Sequence, residues 1–174
     1  GTFITTYTDG PMTAPECNVN INNINILLTD SYSYDENGMF NLIRTYLNID
    51  SSIIEYAQLN GAQSYKKLIW MNDSVLKVKN STLTLDTTLE ADSEMYPGGA
   101  LSLSAANNPW IIYEVRCDAH TLSTHRIMIH NTSMNVISGG GFICTTPLDN
   151  TMDRTILLDS VYMHSDYNLS LIHI

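Results

Sequence analysis

The chain has little positive charge, little charge of either sign, and no long apolar run. Lys and Arg number 8 against 18 Asp and Glu, and the formal net charge is -10. The excess is spread along the chain, so the surface repels phosphate backbones and anionic headgroups, which excludes a nucleic-acid or membrane-surface role. No apolar run approaches the roughly 20 residues that span a bilayer, which excludes membrane insertion by a helix. The N-terminus lacks the basic-then-apolar pattern of a secretory signal. The last strand run reaches the final residue, the pattern of a piece cut from a longer protein. Three cysteines, Cys17, Cys117 and Cys144, have no CxxC spacing. Cys117 and Cys144 fall in strand runs, where a buried free thiol is the plain reading.

Catalytic motifs are also missing. There is no GxSxG, no Walker-type loop and no GxGxxG at a strand-to-helix step. Gly139-Gly140-Gly141 is flanked by strand runs and reads as a turn or bulge. Five histidines, His120, His125, His130, His164 and His173, form no HxH or HExxH, so no metal site and no cofactor are expected. Asp86, Glu90, Asp92 and Glu94 lie in an acidic stretch that reads as a solvated loop. Pairs such as Asp149 with Asp153, or Asp159 with Asp166, carry no glycosidase signal, because any acidic β protein supplies such pairs. Four Asn-x-Ser/Thr sequons, at Asn72, Asn80, Asn131 and Asn168, are about what the Asn, Ser and Thr content produces by chance.

What is present is β structure. From Trp110 onward WIIYEVRCDAH, THRIMIHNTSMNVIS, GFICTT, DRTILLDSVYMHS and YNLSLIHI follow one another with short polar or Gly-bearing breaks. Ile127 and Ile129 alternate with Arg126, Met128 and His130, a period of two. Ile111, Tyr113, Val115 and Cys117 share one face, with Trp110, Ile112, Glu114 and Arg116 on the other. Short breaks between such runs predict an antiparallel meander folded as a β-sandwich. Upstream, runs from Val19 to Leu28, Met39 to Ile49, Ser52 to Gln58 and Tyr65 to Met71 are separated by Asn37-Gly38 and Asn60-Gly61, hairpin signals. VLKVK and TLTLD around Asn80 read as a further hairpin. Asp50-Ser51-Ser52 reads as a cap for a short turn, with Glu55 near the capping-box position. The expected organisation is all-β: a small antiparallel domain over residues 1–71, then an antiparallel β-sandwich over 72–174.

The opening GTFITTYTDGPMTAPE, then NINILLTDSYSYDENGMFNLIRTYLN and SSIIEYAQLNGAQSYKKL, resembles the knob domains repeated along phage tail fibres and pyocin-type fibres. Tyr65 stands where those domains usually carry Trp. The second half, from VLKVKNSTLTLD through SLSAANNPWIIYEV to the terminal SLIHI, is similar to the C-terminal head domains of phage fibres. The resemblance implies a homotrimer on a virion that recognises a glycan or protein of the host surface without catalysis.

Ten Tyr and two Trp against three Phe suit sugar stacking. The candidate ligand-binding residues are Trp110, Tyr96, Asp118, His120, Asp149 and Asn150, most of them in the loop segments 86–99, 118–124 and 146–153. Two other readings stand beside this one. NIDSSII, MNDSVLKV and LLDSVYM imitate the turns of a β-helix tailspike that binds or cleaves polysaccharide, although their spacing is irregular. A carbohydrate-binding module of a bacterial surface enzyme is the third.

Overall fold

The structure is a computed structural model, and it describes residues 4–6, 17–30, 38–58, 67–86, 110–116, 125–137, 141–145, 155–166 and 172–173. Its strands are β1 (Ile4–Thr6), β2 (Cys17–Asn22), β3 (Asn25–Asp30), β4 (Phe40–Ile43), β5 (Thr45–Asp50), β6 (Ile53–Gln58) and β7 (Lys67–Asn72). They continue as β8 (Val75–Lys79), β9 (Thr82–Asp86), β10 (Trp110–Arg116), β11 (His125–Ile137), β12 (Gly141–Thr145), β13 (Thr155–Ser165) and β14 (Ile172–His173).

The prediction of antiparallel sheets is overturned: every strand pairing among the described residues is parallel. The described residues form neither the antiparallel knob-like domain nor the antiparallel β-sandwich head. The chain instead winds as a parallel β-solenoid. One sheet runs β1-β4-β7-β10-β12-β14, and a second, curled sheet runs β2-β5-β8-β11-β9-β6-β3 with β13 alongside β11. Each of the first three coils contributes three strands. In the fourth and fifth coils the long strands β11 and β13 continue through the second corner.

The physical reason lies at the corners. Each described corner carries one residue with positive φ: Arg44 and Asp73 at the first corner, Asn23, Ser51 and Asn80 between strands at the second, and Asn131 and Ser160 within β11 and β13 at that same corner. A single left-handed residue bends the chain sideways, whereas a two-residue type I′ turn reverses it. VLKVK and TLTLD are therefore not a hairpin: β8 and β9 turn about Asn80, and each pairs with β11 of the next coil. Asp50-Ser51-Ser52 is such a corner too, with β6 following it instead of a helical turn.

A small hydroxyl residue follows the bend and clips the coils together. Ser52 Oγ donates to Asp50 O (2.8 Å), Ser81 Oγ to Lys79 O (2.6 Å) and Thr132 Oγ1 to His130 O (2.8 Å). Ser81 Oγ also accepts the Ser52 N–H of the preceding coil at 3.1 Å, and Ser52 Oγ accepts the Ile24 N–H at 3.3 Å. At the first corner Ser74 Oγ donates to Asn72 O (2.8 Å) and accepts the Thr45 N–H (3.0 Å). Buried backbone groups at both corners are thus paired, as a dry interior requires.

Inward residues stack by type. Val19, Leu47, Leu76, Ile127 and Ile156 share one register position, and Ile21, Ile49, Val78, Ile129 and Leu158 share another. One apolar cluster extends from Ile21 to Ile143. The expected boundary between 71 and 72 falls inside β7, at a strand that pairs on both sides with β4 and β10. A second, smaller cluster on the first sheet holds Trp110, Tyr113 and Cys144, with Trp70 against them. Gly141, expected in a turn, is the first residue of β12.

Candidate functional site

The outward face of β2, β5, β8, β11 and β13 carries a shallow groove that crosses all five strands. Its residues come from a pattern repeated once per coil: Asn20-Ile21-Asn22-Asn23, Asn48-Ile49-Asp50-Ser51, Lys77-Val78-Lys79-Asn80, Met128-Ile129-His130-Asn131 and Leu157-Leu158-Asp159-Ser160. The aliphatic residue points into the core, the two flanking residues point out, and the fourth makes the corner. Strand pairing aligns the outward residues in two rows. The first is Asn20, Asn48, Lys77, Met128 and Leu157; the second is Asn22, Asp50, Lys79, His130 and Asp159.

The first row changes character along the solenoid axis. Asn48 Nδ2 donates to Asn20 Oδ1 at 3.1 Å, which leaves the other amide atom of each residue facing the groove. Lys77 is exposed. Met128 is half-buried, and Leu157 keeps 48% of its surface open, so the C-terminal end of the row is apolar.

The second row is charged and internally hydrogen-bonded. Asp50 Oδ2 meets Lys79 Nζ at 2.9 Å, while its Oδ1 accepts from Asn80 Nδ2 (3.1 Å) and Ser51 Oγ (3.0 Å). The Lys79 hydrogen bond is the main cause holding the Asp50 carboxyl below its ordinary range. Asp159 accepts from Ser160 Oγ at 3.0 Å and pairs with His130 Nδ1 at 2.7 Å, and these two bonds lower its pKa in that order. Asn131 Nδ2 donates to Asn80 Oδ1 at 2.9 Å and extends the polar ladder along the corner.

This arrangement suits binding more than acid–base chemistry. A glycosidase needs one carboxyl that keeps its proton and a second roughly 5 to 10 Å away. Both groove carboxyls are biased toward the ionised form, and three strand steps of about 4.8 Å put Asp50 and Asp159 about 14 Å apart. Among the described residues no group of three or more His, Cys, Asp or Glu converges to hold a metal ion.

Of the residues expected to bind ligand, Trp110 lies on the other sheet, 5% exposed, packed with Tyr113 and Cys144. Tyr96, Asp118, His120, Asp149 and Asn150 lie outside the described residues, as do Glu90, Asp92 and Glu94 of the acidic stretch. Asn20, Asn48, Asp50, Lys77 and His130 are not among the residues expected to bind ligand; Asp50 is expected only as a cap and His130 only as one of the five histidines. The tetrad repeated once per coil, an aliphatic residue between two outward ones and before a corner residue, is the signal that could have found them.

No family model, no curated protein and no solved structure matches the chain.

Proposed function

We propose that this solenoid is a non-catalytic recognition module that holds a linear glycan in the groove across β2, β5, β8, β11 and β13. The observation that carries the reading is the pair of aligned rows of amide, charged and apolar side chains, one position per coil. Coils repeat at about 4.8 Å, close to the advance per unit of a linear pyranose chain. A glycan lying along the axis therefore meets one pair of outward side chains per sugar. Asn amides bond hydroxyls in both donor and acceptor roles, and Met128 and Leu157 offer apolar contact to a ring face.

On the resemblance of the sequence to phage fibres, we further propose that such a module would sit on a virion and contact a host-surface glycan. Homotrimeric assembly belongs to that same proposal, and it would multiply weak contacts by raising the effective concentration of linked sites. Cleavage of the polymer is the less favoured reading, given the wide spacing of two ionised carboxylates.

The test is a glycan array probed with the wild-type chain and with Asn48→Ala. Binding that Asn48→Ala weakens about tenfold supports the groove, since losing one amide contact to a polar ligand costs about 1 to 1.5 kcal/mol. Binding that Asn48→Ala leaves unchanged contradicts it. Light scattering checks the assembly: a mass near three times 19.4 kDa is expected, and a monomer contradicts the trimer.

A further inference from the structure

We infer that the groove selects a glycan whose sugar at the β8 position carries a carboxylate and whose two sugars on either side are neutral, that is, a polysaccharide in which an acidic sugar recurs no more often than every third unit. The inference rests on the groove reading and adds the chemical class of the ligand.

Two lysines line the groove, and one of them is already matched within the protein. Lys79 is bound to Asp50 at 2.9 Å in the row next to the corner, where His130 also meets Asp159 at 2.7 Å. Lys77 stands in the other row, between Asn48 and Met128, on the middle of the five strands. Among the described residues it has neither an ion pair nor a hydrogen bond. An ammonium group on the middle strand of a groove, with no ion-pair partner among the described residues, is complementary to one anionic substituent of the ligand. Charge-assisted hydrogen bonds to a carboxylate are about twice as strong as neutral ones.

The positions on either side favour uncharged sugars. Asn20 and Asn48 present neutral amides, and Met128 and Leu157 present apolar surface, which would desolvate an ionised group without compensation. The net charge of -10 works in the same direction, because a polymer charged at every unit would be repelled by the surface as a whole. Groove and surface together admit one acidic sugar against Lys77 with neutral neighbours. The methyl of an N-acetyl or O-acetyl group fits the apolar end.

The probe is a pentasaccharide with a central glucuronate and two N-acetylglucosamines on each side, compared by calorimetry with its carboxyl-reduced counterpart. The wild-type chain is expected to bind the acidic form about tenfold more tightly at low salt, with the preference shrinking as salt rises. Lys77→Met is expected to abolish the preference, and Lys77→Arg to keep it. Equal affinity of the wild-type chain for the two forms, no binding of the acidic form, or a preference that survives in Lys77→Met overturns the inference. An array on which only neutral glycans bind, sensitively to Asn48→Ala, overturns the acidic preference and leaves the groove standing. If no glycan responds to Asn48→Ala, both readings fall.

Discussion

The indole ring of Trp110 lies across the Cα of Gly141, its register partner on β12. A Cβ at position 141 would fall among the Cζ3, Cε3 and Cη2 atoms of that ring. Trp110 is buried at the start of its strand, with Lys67 on β7 and Gly141 on β12 as its register partners.

Gly141→Ala should therefore destabilise the fold by about 1 to 3 kcal/mol, the usual cost of overpacking a filled site. Urea denaturation reads this directly. A combined Gly141→Ala and Trp110→Leu chain should show a smaller deficit than the two single losses added, because the second change removes what the new methyl meets.

The hydroxyl clips give a second expectation. Ser81 is buried and serves two partners, donating to Lys79 O and accepting the N–H of Ser52, itself 1% exposed. Ser81→Ala leaves that N–H without an acceptor and should cost about 1 to 3 kcal/mol. Ser81→Thr should retain most of the stability, since Thr132 fills the equivalent position one coil on. Equal losses for Ala and Thr would point to packing in place of the hydrogen bond.

These same corners show how far the sequence could be read. The strand runs and their two-residue alternation were legible because a half-buried strand writes that period whichever way its neighbour runs. Direction was not legible. Asn80 between VLKVK and TLTLD looks the same whether it reverses the chain or bends it, and the difference is one left-handed residue against two. The Asp-Ser corner signs in NIDSSII, MNDSVLKV and LLDSVYM are legible one by one, but their spacing is irregular. Asn20 to Asn48 is 28 residues, Ser52 to Ser81 is 29 and His130 to Asp159 is 29, yet Asn80 to Asn131 is 51. Segments 87–109 and 117–124, between β9 and β11, lengthen that one coil and break the period. The groove went unseen for the same reason, because its rows exist only once the coils are stacked.

Acid should weaken the coil-to-coil ladder. Asp50 and Asp159 both have folded-state pKa values below the ordinary carboxylate value of 3.8. A carboxyl lowered in the folded state contributes stability above its unfolded pKa and loses it as pH falls through the folded one. The contribution is thus intact from neutral pH down to about 4 and disappears below that. Melting temperatures measured from pH 6 to 2 should fall more steeply for the wild-type chain than for Asp50→Asn/Asp159→Asn. Parallel curves would remove these two residues from the account.

Cys144 should be chemically silent while the chain is folded. Burial pushes its thiol up to about 11 despite the nearby Lys67 charge, and only the thiolate reacts. At pH 8 the thiolate fraction is on the order of one in a thousand. Mass spectrometry after maleimide treatment should find Cys144 unlabelled in buffer and labelled in denaturant. Labelling in buffer at a rate like that of a free thiol would contradict its burial.

The groove itself can be observed through Met128, which lies in it, while Met71 and Met134 are fully buried in the core. The most direct measurement is a titration of ε-¹³C-methionine-labelled protein with a glycan that binds on the array, followed by methyl NMR. The Met128 methyl, assigned from a Met128→Leu chain, should shift with the binding isotherm while those of Met71 and Met134 hold still. A glycan that binds without moving Met128 occupies another surface, and the groove would then not be the site of recognition.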